Sequence, residues 1–180
     1  MAISHMIKLG EPVPLTGVTL EYGRPPEDTN KVRHLTILPD TDPRLRLVAQ
    51  EVPLGTDCRQ LINDMNFTMM FARGVGLAAP QVGVGYRILV GGARGSRGSF
   101  AFTLINPVRV ACGTKRKGAW ENCLSQKGRK AYVKRYDRIT IQAYSADWQK
   151  VELRFTDFEA RVVQHEMDHL DGVLMSDARV

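Results

Sequence analysis

Apolar residues recur at helical spacing in two parts of the chain. In "TDCRQLINDMNFTMMFARG", Leu61, Ile62, Met65, Met69 and Ala72 fall on one face, which predicts an amphipathic helix. Thr56 or Asp57 can cap its start, and Gly74 fits a left-handed stop. The methionines at 65, 69 and 70 read as core. Near the end, Phe158, Val162, Val163, Met167 and Leu170 share a face, which predicts a second helix from Asp157 to Leu170. Between the two lie strand-like runs: "YRILVGG", "AFTLINPVRVAC", "ITIQAYSA" and "KVELRFTDF". "GGARGSRGS" reads as a flexible loop and "SADWQK" as a hairpin turn. Upstream, "TDPRLRLVAQEV" offers Thr41 or Asp42 as a cap ahead of Pro43, which predicts a short helical turn. Residues 1–36, with Pro12, Pro14, Pro25 and Pro26, read as an irregular arm. A run of strands with helices before and after implies an α+β fold, with one domain over residues 37–180.

Composition adds bounds. Hydrophobic content of 43% and charged content of 24% suit a globular chain long enough to bury a core without staples. No run approaches the roughly 20 apolar residues of a membrane span, and no signal-peptide core is present. A cytoplasmic location, or an organelle matrix, is expected. Three cysteines, Cys58, Cys112 and Cys123, are an odd number in such a chain and point to reduced thiols. The charge is uneven. Lys115 to Arg138 holds nine basic residues against Glu121 and Asp137, a local +7 in a chain whose net charge is +6. A basic segment can attract RNA, but no aromatic or glycine pattern of a nucleic-acid module is evident in it, and it reads first as a solvated face.

The chemistry begins at "VVQHEMDHLDGVL". His165 and His169 are four apart and project from one helix face, so both can hold one cation. Glu166 is turned about 100° away. It cannot share that face but can reach a water on the ion, the division of labour of a hydrolytic metal site. Such a site takes a third protein ligand. No His or Glu follows His169, so the ligand is sought upstream. Cys123, in the turn-like "WENCLSQ", is the leading candidate, though spacing does not fix it. Cys112 reads as core filler at the end of "VRVAC", and Cys58 as a structural residue of the first helix.

A third stretch, "GVGLAAPQVG", sets small residues around Gln81. Small residues allow close backbone approach, and an amide donor can stabilise a developing oxyanion. Taken in order, "GVGLAAPQVG", "ENCLS" and "QHEMDH", with Cys123 and His165 42 residues apart, resemble the peptide deformylases. The resemblance covers about residues 40 to 174 of the chain.

The resemblance implies antiparallel strands packed around a central metal-binding helix. It implies an enzyme that removes the formyl group from N-formylmethionyl peptides, nascent or finished, and releases formate. Cys123, His165 and His169 match the metal ligands. The ion would be Fe2+, with Zn2+, Ni2+ or Co2+ as substitutes. Glu166 matches the general base, and Gln81 with the Leu124 N–H matches the oxyanion donors. Gly76 matches a substrate-binding position, together with its neighbours Val75 and Leu77 and with Glu121 and Asn122 beside the cysteine. A transient ribosome contact is implied; no membrane or DNA partner is. One departure stands out, because the family's glycine before the cysteine is Asn122 here. It keeps open a substrate other than the family's, or a metal-binding protein without catalysis that holds peptide or RNA.

Overall fold

The computed structural model describes residues 32–177 apart from 96 and 97, so the arm before residue 32 lies outside the described residues. Residues 32–36 have neither helix nor strand but are tied to the first helix: Arg33 N–H donates to Asp64 and Leu35 N–H to Thr68 Oγ1, both at 2.8 Å. The chain then forms α1 (Arg59–Phe71), β1 (Gly76–Ala78), β2 (Ile88–Gly95), β3 (Gly98–Cys112), β4 (Arg116–Glu121), β5 (Ala131–Tyr136), β6 (Arg138–Tyr144), β7 (Lys150–Thr156) and α2 (Asp157–Leu170). Five strands make an antiparallel sheet in the order β1-β2-β3-β6-β7, and β4 with β5 makes a separate antiparallel hairpin. The fold is α+β.

Side-chain alternation decides what covers the large sheet. In β2, Ile88 and Val90 join a cluster with Met65 and Met69 of α1, while Leu89 joins one with Val163 and Leu170 of α2. β1 repeats this, with Leu77 on the α1 side and Ala78 on the α2 side. A strand buried on both faces reads as a continuous apolar run, which is why "ILV" carries no polar interruption. Leu77, Ile88 and Met65 are fully buried, each stabilising the fold by about 1.5–3 kcal/mol. The other side of α2 meets the hairpin, where Gln164 takes the Tyr136 N–H at 3.1 Å and donates to the Tyr136 carbonyl at 2.9 Å. α2 is thus layered between the large sheet and the hairpin.

Several expectations need correction. α1 begins after Cys58 with no side-chain cap; Asp57 instead accepts the Arg59 N–H at 3.1 Å. The left-handed residue at its end is Arg73 (φ 56), not Gly74. Gly74 serves another purpose, since a Cβ there would lie 2.7 Å from Leu124 Cδ1. Met70 and Phe158 are about half exposed, and Cys112 is exposed on an edge where Val108 and Val110 also face solvent. The stretch expected as a loop continues the β2–β3 ladder, with Arg94 opposite Ser99 and Gly95 opposite Gly98. β1, β4 and β5 were not foreseen. The helical turn is a 3-10 turn at Pro43–Arg46, capped by Asp42, which accepts the Arg44 N–H at 3.0 Å. The turn between β6 and β7 is closed by the Ser145–Gln149 and Trp148–Ser145 backbone bonds, with Trp148 left-handed.

Candidate metal centre

α2 starts with Asp157 and Glu159 in its first turn and carries His169 in its last, the polarity that the helix dipole favours. The helix presents His165 and His169 inward, both buried, with ring centroids 5.1 Å apart. Cys123 lies two residues beyond the end of β4 and is buried as well. Its Sγ lies 3.2 Å from His169 Nε2. One ligand atom from each of Cys123, His165 and His169 lies within 4.8 Å of the others. The hairpin therefore supplies the third ligand that the helix lacks.

Glu121, expected on the substrate side, sits behind His165 instead. Its Oε2 is 3.0 Å from His165 Nδ1. Arg135 grips both oxygens, at 2.8 and 2.9 Å, and Arg161 donates to Oε1 at 2.6 Å. Arg135 also reaches Asp168 at 2.7 Å, and Arg161 the Val133 carbonyl at 2.9 Å. No oxygen of Glu121 is left for a substrate. The bond at Nδ1 fixes the ring and turns Nε2 toward the thiol. Arg135, Arg161 and Asp168 were not singled out in the sequence. The one signal available was Asp168, three residues after His165 and so on the same side of the helix.

Gln81 is fully buried and oriented at both ends of its amide. Its Oε1 accepts the Ala78 N–H at 2.8 Å, and its Nε2 points at Ser125 Oγ (3.2 Å) and Cys123 Sγ (3.7 Å). Ser125 is a further buried member of the site that the sequence reading passed over. Glu166 lies against the β1 backbone. A Cβ at Gly76 would lie 2.8 Å from the Glu166 carboxyl carbon, so the glycine is what admits the carboxylate. Glu166 Oε2 is buried and has no partner among the described residues. The Leu77 side chain packs into the α1 core, which leaves only its backbone for a ligand. Val75 is partly exposed, and its carbonyl accepts the Gly92 N–H at 2.9 Å. Asn122 is exposed beside Cys123 and is not among the left-handed residues, so the asparagine imposes no backbone strain.

Burial raises the Glu166 carboxyl to about 7, against the opposing pull of His165 and Arg135. His169 is driven down to about 3 by burial and by the charge of His165. Burial pushes His165 down too, but its bonds to Cys123 and Glu121 prevail and raise it to about 10. A thiolate and two imidazoles at these separations fit a first-row divalent ion in a four-coordinate site with one position open. The residues present fit such an ion without choosing among iron, zinc, nickel and cobalt.

Known proteins agree with this geometry. The polypeptide deformylase family model matches residues 34–180. "Peptide deformylase 1" of Prochlorococcus marinus is 39% identical over 148 residues, covering 77% of either chain. "Peptide deformylase 1A, chloroplastic/mitochondrial" of Arabidopsis thaliana is 34% identical over 86% of this chain and 64% of its own. The deformylase of Vibrio parahaemolyticus bacteriophage VP16T, solved with actinonin, superposes with a TM-score of 0.73 at 37% identity, over 78% of this chain and 99% of that one. A class I type b deformylase from Acinetobacter baumannii, solved with Met-Ala-Ser bound, gives 0.77 at 28% identity, over 82% and 99%. By sequence, by fold and by its Cys/His/His centre, the chain belongs to the polypeptide deformylase family.

Proposed function

We propose that the chain hydrolyses the N-terminal formamide of N-formylmethionyl peptides and releases formate. The observation that carries the reading is the Glu166 carboxylate: buried beside the Cys/His/His cluster, with one oxygen unpartnered, and raised to about 7. A group that changes protonation near neutral pH can both take and return a proton. A divalent ion held by Cys123, His165 and His169, ferrous in this reading, would acidify the attacking water and polarise the formyl carbonyl.

The chain's own groups do the rest. Glu166 takes a proton from water as the water oxygen bonds to the formyl carbon. Gln81 Nε2 and the Leu124 N–H donate to the carbonyl oxygen as it gains negative charge. When the carbon–nitrogen bond breaks, Glu166 returns the proton to the departing amine, and formate leaves. The Ala78 N–H holds the Gln81 amide in place beforehand, so little reorganisation accompanies the reaction. Val75, Gly76 and Leu77 offer backbone groups along which the peptide lies, and Asn122 faces it from the cysteine side.

Among the described residues no helix is long and apolar enough to cross a membrane. A cytoplasmic or organelle-matrix enzyme acting on nascent chains, in transient contact with the ribosome, is the setting this reading implies. Asn122 motivates a second reading, a deformylase of altered substrate preference. The test is formate release from a formyl-Met peptide by anaerobically prepared, iron-loaded protein. No release overturns the first reading. Release from other formyl or acetyl peptides, lost in Asn122→Gly, supports the second.

A further inference from the structure

The β4–β5 hairpin has two faces. The inner one, Glu121, Val133 and Arg135, is buried against α2. The outer one belongs to no site described above. The register sets Trp120 opposite Tyr132, Gly118 opposite Lys134 and Arg116 opposite Tyr136, and alternation puts all six on one face, with Tyr136 partly buried against the core of the large sheet and α2. Trp120 is 67% and Tyr132 40% exposed, with their rings edge to face at 5.6 Å. Phe71 and Phe158 are exposed to a similar degree, so exposure alone says little; what sets this pair apart is that the two rings are contiguous and rimmed by cations. Gly118 is what lets the Tyr132 ring lie over the hairpin, since a Cβ there would fall 2.6 Å from the ring's Cζ. At the other end, the Arg116 guanidinium lies 4.5 Å from the Tyr136 ring centroid, with Arg109 of β3 at 5.4 Å.

The charge around this face has one sign. Lys115, Arg116, Lys117, Lys127, Arg129, Lys130, Lys134 and Arg138 are all exposed. Lys117, Arg129 and Arg138 are paired with Asp157, Asp40 and Asp137. The segment's own acids are Glu121, buried in its ion pairs, and Asp137, whose side chain is 10% exposed. The outer face thus combines cations with accessible aromatic rings and offers no exposed carboxylate of its own segment. Sequence order hid the aromatic component; strand pairing brings it together.

We propose that the outer face of the β4–β5 hairpin binds single-stranded RNA, with bases stacked on Trp120 and Tyr132 and phosphates on Lys134, Arg116 and Arg109. A paired helix would hide the base faces that exposed rings can use, whereas a single strand presents both charge and faces. The proposal is independent of the reaction assigned to the metal centre, since it uses the opposite side of the hairpin.

The test is fluorescence-anisotropy titration of the full chain with a labelled single-stranded RNA of about a dozen nucleotides. Binding with a Kd of about 1–100 µM at physiological salt is expected, weakening steeply as salt rises. Trp120→Ala and Tyr132→Ala should each weaken it about fivefold or more, and an abasic strand of equal length should bind correspondingly less. Lys134→Glu should weaken binding and flatten the salt slope. Turnover of a short formyl peptide should be unchanged in all three variants, which also confirms that they fold. Three results would overturn the proposal. These are no RNA binding even at low salt, equal binding of the abasic strand, and variants that raise the KM for peptide while leaving RNA binding intact, which would give the face to the peptide.

Discussion

Glu121 Oε2 lies 3.0 Å from His165 Nδ1, while Arg135 and Arg161 hold the same carboxylate from behind. A ligand ring is thus aimed by a group that is itself fixed on three sides. Glu121→Gln keeps the size but loses the charge that orients the ring. Its affinity for zinc, measured by competition with a chelator, should fall by about 10–100-fold. Glu121→Ala leaves Arg135 with Asp168 alone and the largely buried Arg161 with no carboxylate, and should cost about 3–5 kcal/mol of stability in denaturant unfolding. An unchanged zinc affinity in Glu121→Gln would show that the carboxylate only joins hairpin to helix.

Ligand and base roles separate by metal analysis. Glu166→Ala should keep full metal occupancy and lose turnover by several orders of magnitude. Cys123→Ala should lose most of its metal, because two imidazoles from one helix remain. Full occupancy in Cys123→Ala would refute its place in the centre.

Metal uptake should displace protons. In the metal-free protein His165 is held protonated, with a pKa of about 10, and a coordinating imidazole must be neutral. The sign is then fixed. Below about pH 10 the proton competes with the ion, so affinity should fall about tenfold per pH unit on acidification. Zinc titration at pH 7 in two buffers of different ionisation enthalpy should show at least one proton released per ion. Zero release would contradict a protonated His165.

Acid stability should carry the mark of Glu121. Burial alone would raise its carboxyl, but the bonds from His165 and Arg135 hold it down at about 2, below its ordinary 4.5. A depressed folded pKa gives stability that is present above the unfolded value and lost as pH falls through the folded one. The melting temperature should therefore drop between about pH 4.5 and 2, and Glu121→Gln should lack this part of the slope.

The site was more legible than the frame around it. The i,i+4 histidines with the intervening Glu166 specify a helix face directly, and α2 runs from Asp157 to Leu170 as its periodicity implies. The β4–β5 hairpin was invisible for a physical reason. Strand recognition relies on apolar residues at every second position, and two of this hairpin's inward positions are Glu121 and Arg135. Their burial is made tolerable by each other and by partners distant in sequence, which no local pattern encodes. The role of Glu121 was misplaced for the same reason: its position beside Cys123 suggested the cleft, while the pleat turns it the other way. Met70 and Phe158 satisfied a helical period yet face solvent, because the period marks a stripe and not its edges.

Of the centre's three ligands, one lies in the loop of a two-stranded ribbon and two sit on a helix. A lone ribbon of this kind is marginal in water, and this one is attached through the buried ion pairs of Glu121 and Arg135 and a small apolar cluster of Cys123, Val133 and Met175. An ion bridging Cys123 to His165 and His169 would act as a clasp between separately built parts. Amide exchange along β4 and β5 should then report the fraction of molecules loaded, slowing as metal is added while the five-stranded sheet stays unchanged.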